Sequence, residues 1–221
     1  MKLLYREKGY KEMGRKVACT MCLIGLLALS GCGGSSHLKM DIVEQDTMYL
    51  GKNGKIELVN VEKFDKDYYS KSELKAYIKQ TIAEYEETKD SGEVSMDSFS
   101  VNNKIAKVLL TFDSVDTYKA FQGEEFQVIP AEEVEDNLVL PDTFVDAEKD
   151  TKVDKETVLK NKELKFLIVE EALSIQLEGT IKYYSEANLT GDNLIQTTGK
   201  KRAVIAVSYT HLRAHETRRH L

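Results

Sequence analysis

Val94-Ser95-Met96-Asp97-Ser98-Phe99-Ser100-Val101-Asn102-Asn103-Lys104-Ile105-Ala106-Lys107-Val108-Leu109-Leu110-Thr111-Phe112 reads as two strands folded back on each other. The runs Val94 to Val101 and Lys104 to Phe112 are β-rich and bracket the turn signal Asn102-Asn103. Ile105, Val108, Leu109, Leu110 and Phe112 mark the second run as the most buried strand of the chain. Just upstream, Ser70 and Glu73 have capping-box spacing. Leu74, Tyr77, Ile78, Ile82 and Tyr85 then recur every three or four residues, which predicts one long amphipathic helix over about 71–89. Earlier still, Met48-Tyr49-Leu50 and Lys55 to Phe64 flank Gly51-Lys52-Asn53-Gly54, whose Asn-Gly pair favours a tight hairpin turn.

Downstream, Ser114 caps and Gly123 stops a short helix over about 115–122, with Tyr118 and Phe121 aimed at the sheet. Phe126 to Ile129 is a strand ended by Pro130. Ala131 to Asp154 is acidic and without clear period, so a long irregular connection is expected there. Lys165 to Val169, Leu173 to Leu177, Thr180 to Ser185, Leu194 to Thr197 and Ala203 to Ala206 are strand-like, with turns at Gly179 and at Asn188 to Asn193. They predict a C-terminal β meander. Strands in succession with two inserted helices, rather than alternating βα units, give an α+β fold of mainly antiparallel sheet.

The first 31 residues have a different character. Lys2, Arg6, Lys8, Lys11, Arg15 and Lys16 precede an apolar run from Val17 to Leu29, and Leu29-Ser30-Gly31-Cys32 closes it. A basic start, a short apolar run and small residues before a processing point are the three parts of a secretory signal peptide. The 13 apolar residues fall short of the roughly 20 a spanning helix needs. Glu7 and Glu12 are out of place in a basic leader, so Met13 is a second candidate start. A cysteine directly after small residues resembles the lipobox of bacterial membrane lipoproteins of Gram-positive type. That resemblance implies a diacylglyceryl thioether, with its palmitate-like acyl chains, on Cys32. It also implies an extracytoplasmic protein held at the cell membrane by its N-terminal lipid. Two acyl chains anchor firmly where one holds only marginally, each buried methylene contributing about 0.8 kcal/mol. The body itself resembles uncharacterised lipoproteins of gut-type Gram-positive bacteria through Tyr68-Tyr69-Ser70 and the hairpin of Val101 to Phe112, which brings no activity to carry over.

At the other end, Val207 to Thr217 resembles the in-frame translation of a transposase-type sequencing adapter, so residues 207–221 are expected not to be native. The organisation expected is therefore a signal peptide over 1–31, a lipidated N-terminus and flexible tether over 32–45, and a body over 46–206. The body is one domain, or two small ones over about 46–130 and 150–206. Without the six basic and two acidic residues of 1–31, and the three basic and one acidic of 207–221, 22 Lys and Arg face 34 Asp and Glu, a net charge of −12. So acidic a body is unsuited to nucleic acid, whose binding depends on Lys and Arg contacts to phosphates, and high net charge favours solubility.

Chemistry-bearing residues are few. Cys19, Cys22 and Cys32 all lie in or at the end of the leader; His211, His215 and His220 lie in the 207–221 tail and His37 in the tether, so the body has no histidine. Neither a thiol nucleophile nor a Ser-His-Asp triad is available, and no G-x-S-x-G elbow or phosphate-binding glycine loop appears in the sequence. Asp146-x-Glu148-x-Asp150 begins like a calcium loop, but Thr151 and Thr157 replace its glycine and its closing glutamate. Tyr68, Tyr69, Tyr77, Tyr85 and Tyr118 gather around the helices, where an apolar ring with a polar tip serves core edge or interface.

The expectation is a non-enzymatic binding or envelope-associated module without catalytic residues, metal or cofactor, its partners the membrane and an envelope protein or small ligand. The alternatives are a cell-wall or glycan hydrolase working with carboxylates alone, or the solute-binding lipoprotein of a transporter.

Overall fold

The computed structural model describes residues 36–88, 92–123, 125–134 and 140–209. Strands take 44% of them and helices 19%, so the protein is mostly β with a few helices. In chain order the elements are β1 (Thr47–Leu50), β2 (Ile56–Lys63), α1 (Lys71–Glu86), β3 (Val94–Asn102), β4 (Ile105–Phe112), α2 (Val115–Gln122), β5 (Phe126–Pro130), β6 (Thr143–Asp146), β7 (Thr151–Asp154), α3 (Lys155–Leu159), β8 (Leu164–Val169), β9 (Ser174–Leu177), β10 (Thr180–Ser185), β11 (Ala187–Gly191), β12 (Leu194–Thr197) and β13 (Ala203–Ser208).

The strands form a seven-stranded sheet, β11-β12-β9-β1-β2-β4-β3, and a six-stranded sheet, β5-β8-β13-β10-β6-β7. All pairings are antiparallel except β1 with β9, which run parallel. One core lies between the sheets. Met48, Leu50, Ile56, Leu58, Val108, Leu110 and Phe112 enter it from one side; Leu167, Val169, Ile181, Ile205 and Val207 enter from the other. Strand alternation explains the choice, since side chains two apart share a face. Leu74, Ile78 and Ile82 of α1 close this core, as do Tyr118 and Phe121 of α2. Tyr118 and Phe121 both meet Phe112, at ring-centroid distances of 5.3 and 5.7 Å.

Local signals hold where the sequence is locally decisive. Ser70 caps α1 by accepting from the Glu73 amide, and Ser114 caps α2 by accepting from the Thr117 amide. The stop of α2 is Gly123 in the left-handed region, which a glycine adopts without a Cβ clash. Helix α1 ends at Glu86, three residues before the expected 89. In the β3–β4 hairpin the left-handed residues are Asn103 and Lys104, so the turn sits one residue later than Asn102-Asn103.

The second half departs from the expected meander. β8, β10 and β13 join the six-stranded sheet, whereas β9, β11 and β12 join the seven-stranded one. The chain crosses between layers at Gly179, where a Cβ would stand 2.7 Å from the Ser208 carbonyl oxygen and 2.6 Å from Val207. The turn expected over 188–193 is largely the strand β11. The irregular connection expected over 131–154 contains the β6–β7 hairpin and leads into α3. The hairpin turn is made by Asp146, whose carboxylate accepts from the amides of Glu148 and Lys149 at 3.0 Å each. Polar capping, not apolar alternation, builds this segment. Strands β1 and β9 pair across the proposed division of the body, as do β5 and β8, so both parts share both sheets. β13 runs through Val207 and Ser208, two residues past the expected end of the body.

Both sheets are also covered on their outer faces. Leu140, Phe144 and Val158 pack on Leu164, Phe166, Val204 and Ala206 behind the six-stranded sheet. Leu38 and Val43 pack on Tyr49, Val59 and Leu109 behind the seven-stranded one. The tether expected over 32–45 is thus a docked strap from Leu38 onward. Burial of the apolar side chains at 38 and 43 offsets part of the entropy lost in ordering these residues.

Candidate functional site

The strap begins at the end of the sandwich that carries the 51–54 turn. His37 stacks on Tyr49, with ring centroids 4.0 Å apart and planes 7° from parallel. Its Nδ1 lies 2.9 Å from Glu57 Oε1, and Glu57 Oε2 accepts from the Leu38 amide, also at 2.9 Å. Glu57 is 5% exposed, so strand β2 turns a carboxylate outward only for the strap to bury it. Lys107 Nζ donates to the carbonyls of Met40 and Asp41 at 3.1 and 3.2 Å. Farther along, Asp46 Oδ1 accepts from the Val61 amide at 2.7 Å. The strap therefore tracks β2 from Glu57 to Val61.

Beside His37, Glu178 ties the end of the sandwich together. Its Oε2 accepts from the Lys52 amide at 2.8 Å, and Oε1 lies 3.5 Å from Lys52 Nζ. The amide bond foremost, with help from the Lys52 and His37 charges, holds the Glu178 carboxyl below its usual range. Burial, reinforced by the charges of Glu178 and Glu57, pushes the Tyr49 phenol up. Burial likewise pushes Tyr209, reinforced by Glu178 and Tyr49, up to about 12.

At this same end a cleft of about 410 Å³ opens between the 51–54 turn, the first turn of α2, and strands β5 and β8. Lys52, Lys119 and Lys165 line it, with Asp116 and Gln127 as further polar groups. Val115, Val128 and Ile129 give it an aliphatic wall. Lys165 Nζ sits 5.4 Å from the centroid of the Tyr209 ring, within cation–π range. A second cleft of about 330 Å³ lies beside the β6–β7 turn and includes Asp146, Lys149, Lys182 and Asp192.

Leu29, Ser30, Gly31 and Cys32 lie outside the described residues. Among the described residues no helix is long and apolar enough to cross a membrane. Asp146, where the calcium-like spacing begins, spends one oxygen on the turn amides, and its other oxygen stands 3.6 Å from Lys149 Nζ. No group of three or more His, Cys, Asp or Glu able to hold a metal occurs among the described residues. The tyrosines divide. Tyr118 is buried and donates to Glu171 at 3.0 Å, and Tyr85 packs edge-on against Phe121. Tyr68, in contrast, is 64% exposed.

The three cleft lysines carry no motif in the sequence. They come from a turn, a helix and a strand, and only the packing of the two sheets brings them together. One local signal exists: Lys165 alternates with Leu167 and Val169, which face the central core. No family model, curated protein or solved structure matches the chain.

Proposed function

We propose that the protein is a lipid-anchored extracytoplasmic lipoprotein acting as a non-enzymatic binding module at the cell membrane. The sequence Leu29-Ser30-Gly31-Cys32 after a basic and apolar leader carries this reading. The fold agrees with it physically. Among the described residues His37 and Leu38 already pack on the sandwich, five and six positions after Cys32, and a diacylated Cys32 would need no protein-encoded span. The strap bonds to β2 would transmit the anchor to the sandwich rather than leave it on a loose leash.

Binding is favoured over carboxylate hydrolysis by where the perturbed acids lie. A general acid needs a carboxyl whose pKa is raised inside a cleft. Asp46 and Glu62 are raised by burial, yet neither lines either of the two clefts described above. Asp146, which does line one, is lowered: its turn-amide and Lys149 contacts outweigh burial, the largest single influence.

The decisive experiment is Cys32→Ser with radiolabelled palmitate and membrane fractionation in a bacterial host. The variant should lose label and leave the membrane fraction. Continued acyl incorporation would overturn the anchor.

A further inference from the structure

We propose that the cleft between the 51–54 turn, α2, β5 and β8 binds a phosphate-bearing ligand, with Lys52, Lys119 and Lys165 holding the anion.

An ammonium group withdrawn from water needs a compensating charge or acceptor. Lys119 and Lys165 are both half-buried, and neither forms an ion pair among the described residues. Lys165 occupies a core-facing position of β8, where an apolar residue would extend the row of Leu167 and Val169. Its ammonium instead lies over the Tyr209 ring, at the cleft.

Charge context points the same way. Acids outnumber bases, 37 to 31, over the chain, yet three lysines line one cleft whose only lining carboxylate is Asp116; Lys52 also pairs with Glu178 at the rim, so Lys119 and Lys165 supply the uncommitted charge. The first turn of α2 adds the positive end of a helix dipole. The cations of the cleft are all lysines, without an arginine fork for bidentate contact to carboxylate or phosphate. Lysine acts as a point charge and suits phosphate. The volume, about 410 Å³, lies within the range of small-ligand sites. The aliphatic wall of Val115, Val128 and Ile129 would seat a non-polar portion beside the anion. A soluble phosphate monoester and a phospholipid headgroup share this chemistry.

The site itself does not rest on the lipid anchor; only the headgroup source gains from it. The test uses the full chain at low salt, where charge contacts are least screened. sn-Glycerol 3-phosphate is titrated by calorimetry and by amide chemical shifts. Separately, vesicles of phosphatidylcholine with and without phosphatidylglycerol are tested by co-sedimentation. Binding of glycerol 3-phosphate identifies a soluble ligand; binding only to phosphatidylglycerol vesicles identifies a headgroup. Either result should weaken at least about tenfold in K119Q/K165Q, since two charge-assisted contacts are removed. K79Q, on the exposed face of α1, should bind as the parent does. Shifts in the unsubstituted protein should centre on Val115, Gln127 and Ile129, which tests the location without any variant. Failure of both probes, shifts centred elsewhere, or undiminished binding by K119Q/K165Q would overturn the proposal.

Discussion

Truncating Glu57 measures how firmly the strap is held. Glu57 is 5% exposed and Leu38 2%, so the bond from the Leu38 amide to Glu57 Oε2 is sealed from water. Alanine at 57 leaves that amide buried without its acceptor, which costs about 1–3 kcal/mol. The loss has a ceiling, because the strap can peel away and rehydrate. Peeling exposes Leu38 and Val43, each holding roughly 1.5–3 kcal/mol of burial energy, so accepting the broken bond is the cheaper course. Glu57→Ala should therefore destabilise by about 2 kcal/mol, read as a shift in the urea midpoint at unchanged m-value. Glu57→Gln keeps an oxygen for the Leu38 amide and should lose about 1 kcal/mol or less. His37→Ala removes the other partner, but that side chain is 55% exposed and solvent already screens the pair, so the effect should be below about 1 kcal/mol. Hydrogen exchange over 38–46 should quicken in Glu57→Ala and stay slow in Glu57→Gln. Equal losses in Glu57→Ala and His37→Ala would refute the reasoning, as would unchanged exchange in the strap.

Two further stability changes follow from the packing. Phe112 is fully buried between Tyr118 and Phe121, so Phe112→Ala should cost about 3–5 kcal/mol in urea unfolding; a loss under about 1 kcal/mol would mean that the two sheets do not share this core. Burial raises the Asp46 pKa above 3.8, so the folded state holds that proton more tightly than the unfolded one; the contribution is most favourable at pH below 3.8 and is lost as pH rises through the folded value. Asp46→Asn keeps an acceptor for the Val61 amide without the charge, so it should flatten that decline and unfold at a higher urea concentration than the parent at neutral pH; a lower midpoint would show that the ionised carboxylate stabilises the strap.

Legibility followed the range of the interactions. Helix α2 was readable to the residue because Ser114, Gly123 and the pair Tyr118 and Phe121 act within ten positions. The β1–β2 and β3–β4 hairpins were readable because their turns lie between apolar runs. The β6–β7 hairpin was not, since β7 offers only Val153 as an apolar residue and its turn is capped by a side chain. Nor could the distribution of β8 to β13 between two sheets be read. Each of these strands has a plausible β pattern, but its partner is fixed by packing across the core, as when β9 joins β1 in parallel. Leu38 and Val43 were hidden for a related reason: two apolar residues in a polar stretch show no period until the face of β2 and β4 is there to receive them.

The strap and the cleft are coupled through the same end of the molecule. Lys52 lines the cleft while its amide and ammonium hold Glu178, whose neighbour across the end is His37 at the start of the strap. His37 stands five positions after Cys32, and an extended chain covers at most about 18 Å over those five steps. Under the anchored reading this leash keeps the lysine cleft near the headgroups rather than on the far side of the sandwich. The acidic body would be repelled by an anionic surface, whereas the lysine-lined end would be drawn to it, so charge and tether favour the same orientation. Fast exchange of the strap in Glu57→Ala should then weaken vesicle binding without affecting glycerol 3-phosphate. Equal weakening of both would show that the strap shapes the cleft itself.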